Sequence, residues 1–211
     1  MCTSNAANLS VVHPIRSYHT RSALSPSCTI LQAACACIAF PDSFDPVTVG
    51  TDHKKMVLID SMVVCANPTK ELLQEAQVVF GEDMEVANIV SIGAGKGNVK
   101  VVFEAGREVG ISNGLRQGIA MCEQVHNDLY GRLQETKIYH RFNMERELSI
   151  HAEDVFAHVS AYLEEKPTSA MIDSAVKSIH SLPTGVKLKD ISEYASVTIL
   201  VLTVYRFGNG G

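Results

Sequence analysis

The sequence lacks several features that mark specialised classes of protein. Its 18 Lys and Arg residues form no basic stripe and are outnumbered by 23 acidic residues, so no nucleic-acid footprint is visible. No charged segment followed by an apolar block opens the chain, which argues against a secretory signal. The apolar run Ala195–Tyr205 is well short of the ~20 residues of a membrane helix. What is present, 46% hydrophobic and 19% charged side chains over 211 residues, is typical of a soluble α/β protein.

The six cysteines contain no C-x-x-C pair and no disulfide framework. We therefore expect reduced thiols in a cytoplasmic protein. Cys35 and Cys37 form a C-x-C within the apolar run Leu31–Phe40, which indicates either a metal or redox pair or two small buried hydrophobic residues. The second interpretation is favoured because no His and no second Cys pair lies nearby at ligand spacing.

Apolar patterns predict an α/β fold with a helical C-terminal side. Met56–Ile59 and Val86–Ile92 are short runs typical of buried strands. Between them, Asn67-Pro68 is a good helix start, and Gly81 ends the amphipathic stretch that follows. We interpret the three elements as a β-α-β crossover in a partly parallel sheet with flanking helices.

The C-terminal half is predicted to be mainly helical. Apolar residues at three- or four-residue spacing predict a long helix over Ile111–Leu133, and Tyr139–Met144 is typical of a short strand. Two more amphipathic helices are expected at Ala152–Leu163 and Ser169–Ile179, with Thr168 as a possible cap of the second. The β-branched run Ala195–Tyr205 is either a strand or a tail outside the preceding domain.

Two glycine-containing motifs suggest ligand or catalytic sites. Gly93–Gly97 follows a predicted strand, as a phosphate-binding loop does, but Lys96 is not followed by Ser or Thr and no helix opens there, so a turn is favoured. Gly110–Gly114 matches G-x-S-x-G, the nucleophile elbow of serine hydrolases. Because this match is in phase with the long helix, Ser112 is expected to be a helix-surface residue.

Asp60 is the third candidate. It ends a predicted buried strand, where open α/β sheets place their chemistry, and there it could orient or deprotonate a nucleophile. A turn-forming or capping aspartate is the alternative interpretation, and the residues alone do not separate the two.

Several segments together resemble the patatin-like phospholipases. Ile59–Leu72 reads IDSMVVCANPTKEL and is similar to the family's V-D-G-G-x-x-x-N-N-P-x-x-E-L. Val90–Gly95 (VSIGAG) resembles V-S-I-G-T-G, and Ile30–Pro41 (ILQAACACIAFP) resembles the helix I-W-x-A-A-R-A-T-S-A-A-P. Ile15–Tyr18 and Tyr139–Asn143 are similar to pieces of the fungal members. The resemblance spans about residues 13 to 192, between an N-terminal tail (1–12) and an apolar C-terminal tail (193–211).

The resemblance implies a lipid acyl hydrolase with a Ser–Asp dyad, no catalytic histidine, no cofactor and no metal. Carried over residue by residue, only Asp60 has a counterpart, as the basic member of the dyad. The two glycines that follow it in the family are Ser61 and Met62 here, which is expected to change the turn. The family's nucleophile elbow and glycine-rich oxyanion loop precede the aspartate, and residues 1–59 contain neither.

We therefore expect an incomplete patatin-like three-layer fold that is inactive, or nearly so, by itself: a remnant or fragment of a lipid acyl hydrolase. Its substrate, if it is active, would be a lipid or other acyl ester, and no transmembrane span or nucleic-acid partner is expected. Two alternatives stay open. One is a non-catalytic binding module, and the other is a Ser–Asp–His hydrolase that uses Ser112 with a later His and Asp128 or Asp154.

Overall fold

The chain folds into two compact units. The structure is a computed structural model that describes residues 1–18, 20, 26–41, 44–95, 110–144, 152–180, 186–191 and 198–202. The first unit holds the described residues up to Ala66 and the start of one long helix, to Cys122. The second holds those between Asn67 and Val101 and between Glu123 and Phe207. None of the helices described is both long enough and apolar enough to cross a bilayer.

The first unit is built on an antiparallel sheet with strand order β2-β1-β4-β3. Its elements are β1 (Cys2–Asn5), β2 (Asn8–Pro14), α1 (Ile30–Ile38), β3 (Val47–Val49), β4 (Met56–Asp60) and the single turn α2 (Met62–Cys65). Helix α1 begins with a capping box, in which Thr29 Oγ1 accepts from the Gln32 amide and Gln32 Oε1 accepts from the Thr29 amide. Its inner residues Ala33 and Ala36 pack with Leu58 in the core of this unit.

The second unit is built on a parallel sheet with strand order β6-β5-β7. Its elements are α3 (Thr69–Phe80), β5 (Asn88–Ile92), the C-terminal part of α4 (Gly110–Leu133), β6 (Tyr139–Phe142), α5 (Ala152–Glu164), α6 (Lys166–His180), α7 (Leu188–Ile191) and β7 (Thr198–Leu202). The predicted α/β class with a partly parallel sheet is therefore confirmed.

The predicted β-α-β crossover is wrong. β4 and β5 are strands, as the apolar runs predicted, but they belong to different sheets. β4 has antiparallel neighbours on both edges, β1 and β3, so no parallel strand pairs with it. The parallel pairing instead joins β5 to β6 and to β7, and the run at Ala195–Tyr205 contributes the strand β7.

Helices lie on both faces of the parallel sheet. Ile89 and Tyr139 share one face and pack with Leu73 of α3 and Leu129 of α4. On the opposite face, the Asn88 Nδ2 donates to the Ala175 carbonyl of α6 over 2.9 Å. Because β5 is covered on both sides, its residues form a nearly continuous buried run.

The helix boundaries follow local chemistry, with one correction. Asn67 Oδ1 accepts from the Thr69 amide at the start of α3, and Gly81, with φ of 88°, ends that helix as predicted. Helix α6 begins at Lys166 rather than Ser169 because Pro167 suits the first helical turn, where its missing N–H costs nothing. Thr168 therefore lies inside the helix and is buried, so it is not the cap.

Candidate functional site

Asp60 is held at the end of β4 by the sheet around it. It pairs with Thr3 of β1, and its amide donates to the Ala39 carbonyl, just after α1, over 3.1 Å. The backbone of this residue is thus fixed by one strand and by the end of one helix. The aspartate is presented on a rigid element, as a catalytic group requires.

The Asp60 carboxylate is half-buried and has one hydrogen-bond partner. Its Oδ1 accepts from the Met62 amide over 2.5 Å, and no side chain of the described residues donates to it. Burial raises the pKa of the carboxyl above its ordinary value, and the Met62 hydrogen bond opposes that rise in part. The result is a carboxylate that is more basic than one in water.

The turn after Asp60 forms without glycine. Ser61 has φ of −94° and ψ of 9°, and its carbonyl accepts from the amides of Val64 and Cys65, which closes the short helix α2. No residue here needs the left-handed conformation that favours glycine. The replacement of the family's two glycines by Ser61 and Met62 therefore puts no strain on this turn.

The thiols near Asp60 do not form a reactive pair. Cys37 Sγ donates to the Cys2 carbonyl over 3.4 Å, and burial raises the pKa of this thiol to about 11, with the Asp60 charge contributing in the same direction. A neutral thiol is a poor nucleophile and a poor metal ligand. Across the described residues, no three Cys, His, Asp or Glu side chains are arranged to hold a metal ion.

The prediction that Cys35 and Cys37 are both buried is wrong. Cys35 is exposed and Cys37 is only half-buried. The physical reason is the helical period: the inner face of α1 is occupied by Ala33 and Ala36, and Cys35 falls on the opposite face.

Ser112 lies in the first turn of α4, so its backbone is helical as predicted. Its side chain, the residues 96–109 before the helix, and the side chain of Asp154 are outside the described residues. Asp128 lies farther along the same helix at an exposed position.

One glycine of α4 is explained by close helix packing. A Cβ on Gly118 would lie 2.8 Å from the Met62 carbonyl oxygen of α2. A Cβ on Gly114, the second glycine of the G-x-S-x-G match, would lie 3.4 Å from a methyl group of Val63, which is an ordinary contact. The helical backbone of this segment favours the helical interpretation of the motif over a nucleophile elbow.

The second unit contains a buried polar network that the sequence did not reveal. Arg141 Nη1 donates to Ser91 Oγ over 2.7 Å, and Ser91 Oγ lies 3.2 Å from Thr69 Oγ1. Thr69 Oγ1 in turn donates to Asn67 Oδ1 over 2.6 Å. All four residues are buried, and the network joins the start of α3 to the neighbouring strands β5 and β6. The only sequence signal for it was the presence of Ser91 and Arg141 inside predicted buried strands.

The turn after β5 is tied to the end of β6. The Gly95 amide donates to Asn143 Oδ1 over 2.9 Å, and a Cβ on Gly93 would overlap the Asn143 side chain. The Gly93 amide likewise donates to the Phe142 carbonyl over 2.8 Å, so both of these amides are already used within the protein. This favours a structural turn over a phosphate cradle, and Lys96 and Gly97 lie outside the described residues.

His126 of α4 packs among aromatic side chains. Its Nδ1 lies 3.2 Å from the Tyr139 hydroxyl, and its ring is tilted against those of Tyr139 and Tyr130. The histidine thus fixes the helix on one face of the parallel sheet.

Among the predicted site residues, Asp60 is a half-buried carboxylate whose hydrogen bond to a described residue is given above. A function must be argued from its geometry, since no protein-family model, no curated protein and no solved structure matches the chain.

Proposed function

We propose that this chain carries the aspartate half of a patatin-like lipid acyl hydrolase. In this proposal Asp60 is the basic member of a Ser–Asp dyad. The chain by itself lacks the nucleophile elbow and the oxyanion loop. The substrates of the complete site are phospholipids or related acyl esters, and the protein acts in lipid degradation. No histidine, metal or cofactor takes part.

The observation that carries the proposal is the state of the Asp60 carboxylate. Met62 holds one oxygen, and no described residue donates to the other, so a serine hydroxyl could donate there. A raised pKa makes the carboxylate a better acceptor of the serine proton than an aspartate in water. Its position at the end of a strand, followed by a turn and by the Asn67-Pro68 start of α3, is consistent with the order of the family motif.

The proposal is tested by adding the segment that carries the nucleophile. A segment with the glycine-rich loop and G-x-S-x-G elbow of a patatin-like enzyme is joined in frame before Met1, and hydrolysis of p-nitrophenyl butyrate is measured. We expect turnover by the joined protein and none above background by the chain alone. Asp60→Asn in the joined protein should lower kcat by about 10³-fold or more, and Asp45→Asn, which alters an exposed acid of the same unit, should not.

A fluorophosphonate probe tests the competing hydrolase. Labelling of Ser112 in the chain alone, together with ester turnover that Ser112→Ala abolishes, would overturn the proposal in favour of a Ser112 enzyme. Turnover by the joined protein that Asp60→Asn leaves unchanged would also overturn it, since Asp60 would then have no part in the chemistry.

A further inference from the structure

Helix α1 has an apolar outer face that no described residue covers. Its nine residues, ILQAACACI, contain no charged side chain. Leu31, Cys35 and Ile38 recur at spacings of four and three and form a stripe on the side opposite the buried Ala33 and Ala36. Ile30 and Leu31 are 86% and 72% exposed, so together with Cys35 and Ile38 they form an exposed apolar patch rather than a single exposed side chain.

A loop that carries two lysines is tied to the residues that lead into α1. The Gly50 amide donates to the Ser27 carbonyl over 3.1 Å, which holds the loop 50–55 against the residues that lead into α1. That loop folds back on itself at Gly50 and carries Lys54 and Lys55. Both lysines are exposed, and neither forms an ion pair with any described residue.

We infer that the outer face of α1, with Lys54 and Lys55, binds the surface of an anionic lipid membrane. Ile30, Leu31 and Ile38 would enter the boundary between headgroups and acyl chains, and the two lysines would lie at the level of the lipid phosphates. This inference rests on the proposed function for the choice of a lipid as partner, because a lipid acyl hydrolase must reach its substrate at such a surface.

The size of the face favours a lipid surface over a protein partner. A nine-residue helix is about 13 Å long, and one such face is much smaller than the ~800 Å² that a partner buries in a stable protein interface. A bilayer needs no complementary shape, and it offers both things this patch would satisfy: an apolar layer and a layer of negative charge. Among the described residues, neither lysine has an ionic partner that would compete with lipid phosphates.

The experiment measures partition of the full chain onto vesicles by co-sedimentation. Vesicles of phosphatidylcholine with phosphatidylserine are compared with vesicles of phosphatidylcholine alone. Ile30→Ser with Leu31→Ser should lower the partition coefficient about tenfold for each side chain. Lys54→Gln with Lys55→Gln should lower it about fivefold for each lysine on the anionic vesicles only.

Two control variants distinguish binding through this face from non-specific adsorption to vesicles. Phe156→Ser alters a side chain of α5 that is 77% exposed, and Lys166→Gln alters an exposed lysine of α6; neither should change partition. Circular dichroism establishes that each variant is folded. Equal binding to both kinds of vesicle, no effect of the α1 variants, or no binding at all would overturn the inference. So would dimerisation that Leu31→Ser abolishes without any vesicle binding, since the face would then join two copies of the chain.

The outcome is independent of catalysis. The ester used to test Asp60 is soluble in water and needs no lipid surface, so the lipid face and the dyad can fail separately. Vesicle binding without Asp60-dependent chemistry in the joined protein would support the face and overturn the dyad. Asp60-dependent chemistry without vesicle binding would do the reverse.

Discussion

A polar cluster of the second unit and a carboxylate of the first unit differ in how they are hydrogen-bonded. In the second unit, Arg141, Ser91, Thr69 and Asn67 are joined in one chain of hydrogen bonds. In the first unit, the half-buried Asp60 carboxylate accepts from one backbone amide among the described residues, and its pKa is raised because burial outweighs that bond. The four residues of the network bond to one another through their side chains, whereas no described side chain donates to the Asp60 carboxylate.

The two arrangements have different consequences for the stability of the fold. A buried polar network whose members hydrogen-bond to one another specifies how helices and strands are joined, and it stabilises the fold if it is complete. A carboxylate that the fold holds in place but under-solvates lowers stability, and such groups are concentrated at functional sites. The raised pKa of Asp60 is consistent with its proposed role in chemistry, and the hydrogen bonds of Arg141 indicate a role in joining β5 to β6.

The largest loss of stability is expected when the Arg141 side chain is removed. Arg141→Ala deletes the charged donor to Ser91 and leaves a cavity beside β5, so we expect a loss of about 3 kcal/mol in the free energy of unfolding. Urea denaturation followed by circular dichroism measures it. Arg132→Ala, at an exposed position of α4, is the control and should change stability by less than about 0.5 kcal/mol. If Arg141→Ala were equally neutral, the network would not be structural.

A smaller loss of stability is expected from a substitution where α4 packs against α2 within the first unit. Gly118→Ala places a methyl group 2.8 Å from the Met62 carbonyl oxygen, and because a backbone atom cannot move aside cheaply, we expect a loss of about 1–2 kcal/mol. The loss should disturb the turn that presents Asp60.

The same helix supplies the matched control. Gly131 has no atom within 4 Å of the position of a Cβ, so Gly131→Ala should raise stability by about 0.5–1 kcal/mol through helix propensity alone. Thermal unfolding of the two variants side by side measures the contrast. Equal shifts in Tm in the same direction would show that packing at Met62 does not set the requirement for glycine.

Local patterns predicted elements well, and they did not predict which strands pair. The apolar runs of β4 and β5 and the spacing along α4 are properties of neighbouring residues, and the structure confirms them. Pairing depends on distant segments. β4 has β1 as a neighbour, and β1 is the polar tetrapeptide Cys2–Asn5, which has no apolar pattern and nevertheless buries Thr3 and Ser4 completely. The apolar run of β4 is compatible with a β-α-β crossover. The pairing of β4 with β1, a strand that no sequence pattern indicates, excludes that crossover.

The same limit applies to the candidate site. Asp60 was predicted because it directly follows an apolar run, a local signal. Arg141 and Ser91 are fifty residues apart in the chain, and only the parallel register of β5 and β6 brings them together. The proposed role of Asp60 and the domain limits at residues 13 and 192 depend on family resemblance, and they stay predictions.

The smallest expected effect is the contribution of Asp60 to the pH dependence of stability. Its pKa is raised in the folded state, so below the ordinary value near 3.8 the group is protonated in both states and has no effect on stability. As the pH rises, the unfolded chain ionises first, and stability falls until the pH exceeds the folded pKa. Above that point the deficit is constant.

Asp60→Asn removes this deficit and keeps an oxygen that can accept from the Met62 amide. The variant should therefore be more stable than the wild type at pH 7, by about 0.5 kcal/mol because water screens a half-buried group, and equal to it at pH 3. Urea denaturation at the two pH values measures the difference. Asp83→Asn is the control of opposite sign: Lys189, 2.8 Å away, holds the pKa of Asp83 below its ordinary value, so removing that charge should lower stability at pH 7. An Asp60 variant that followed Asp83 in sign would mean that the carboxylate stabilises the fold, and the contrast between the two units would then be lost.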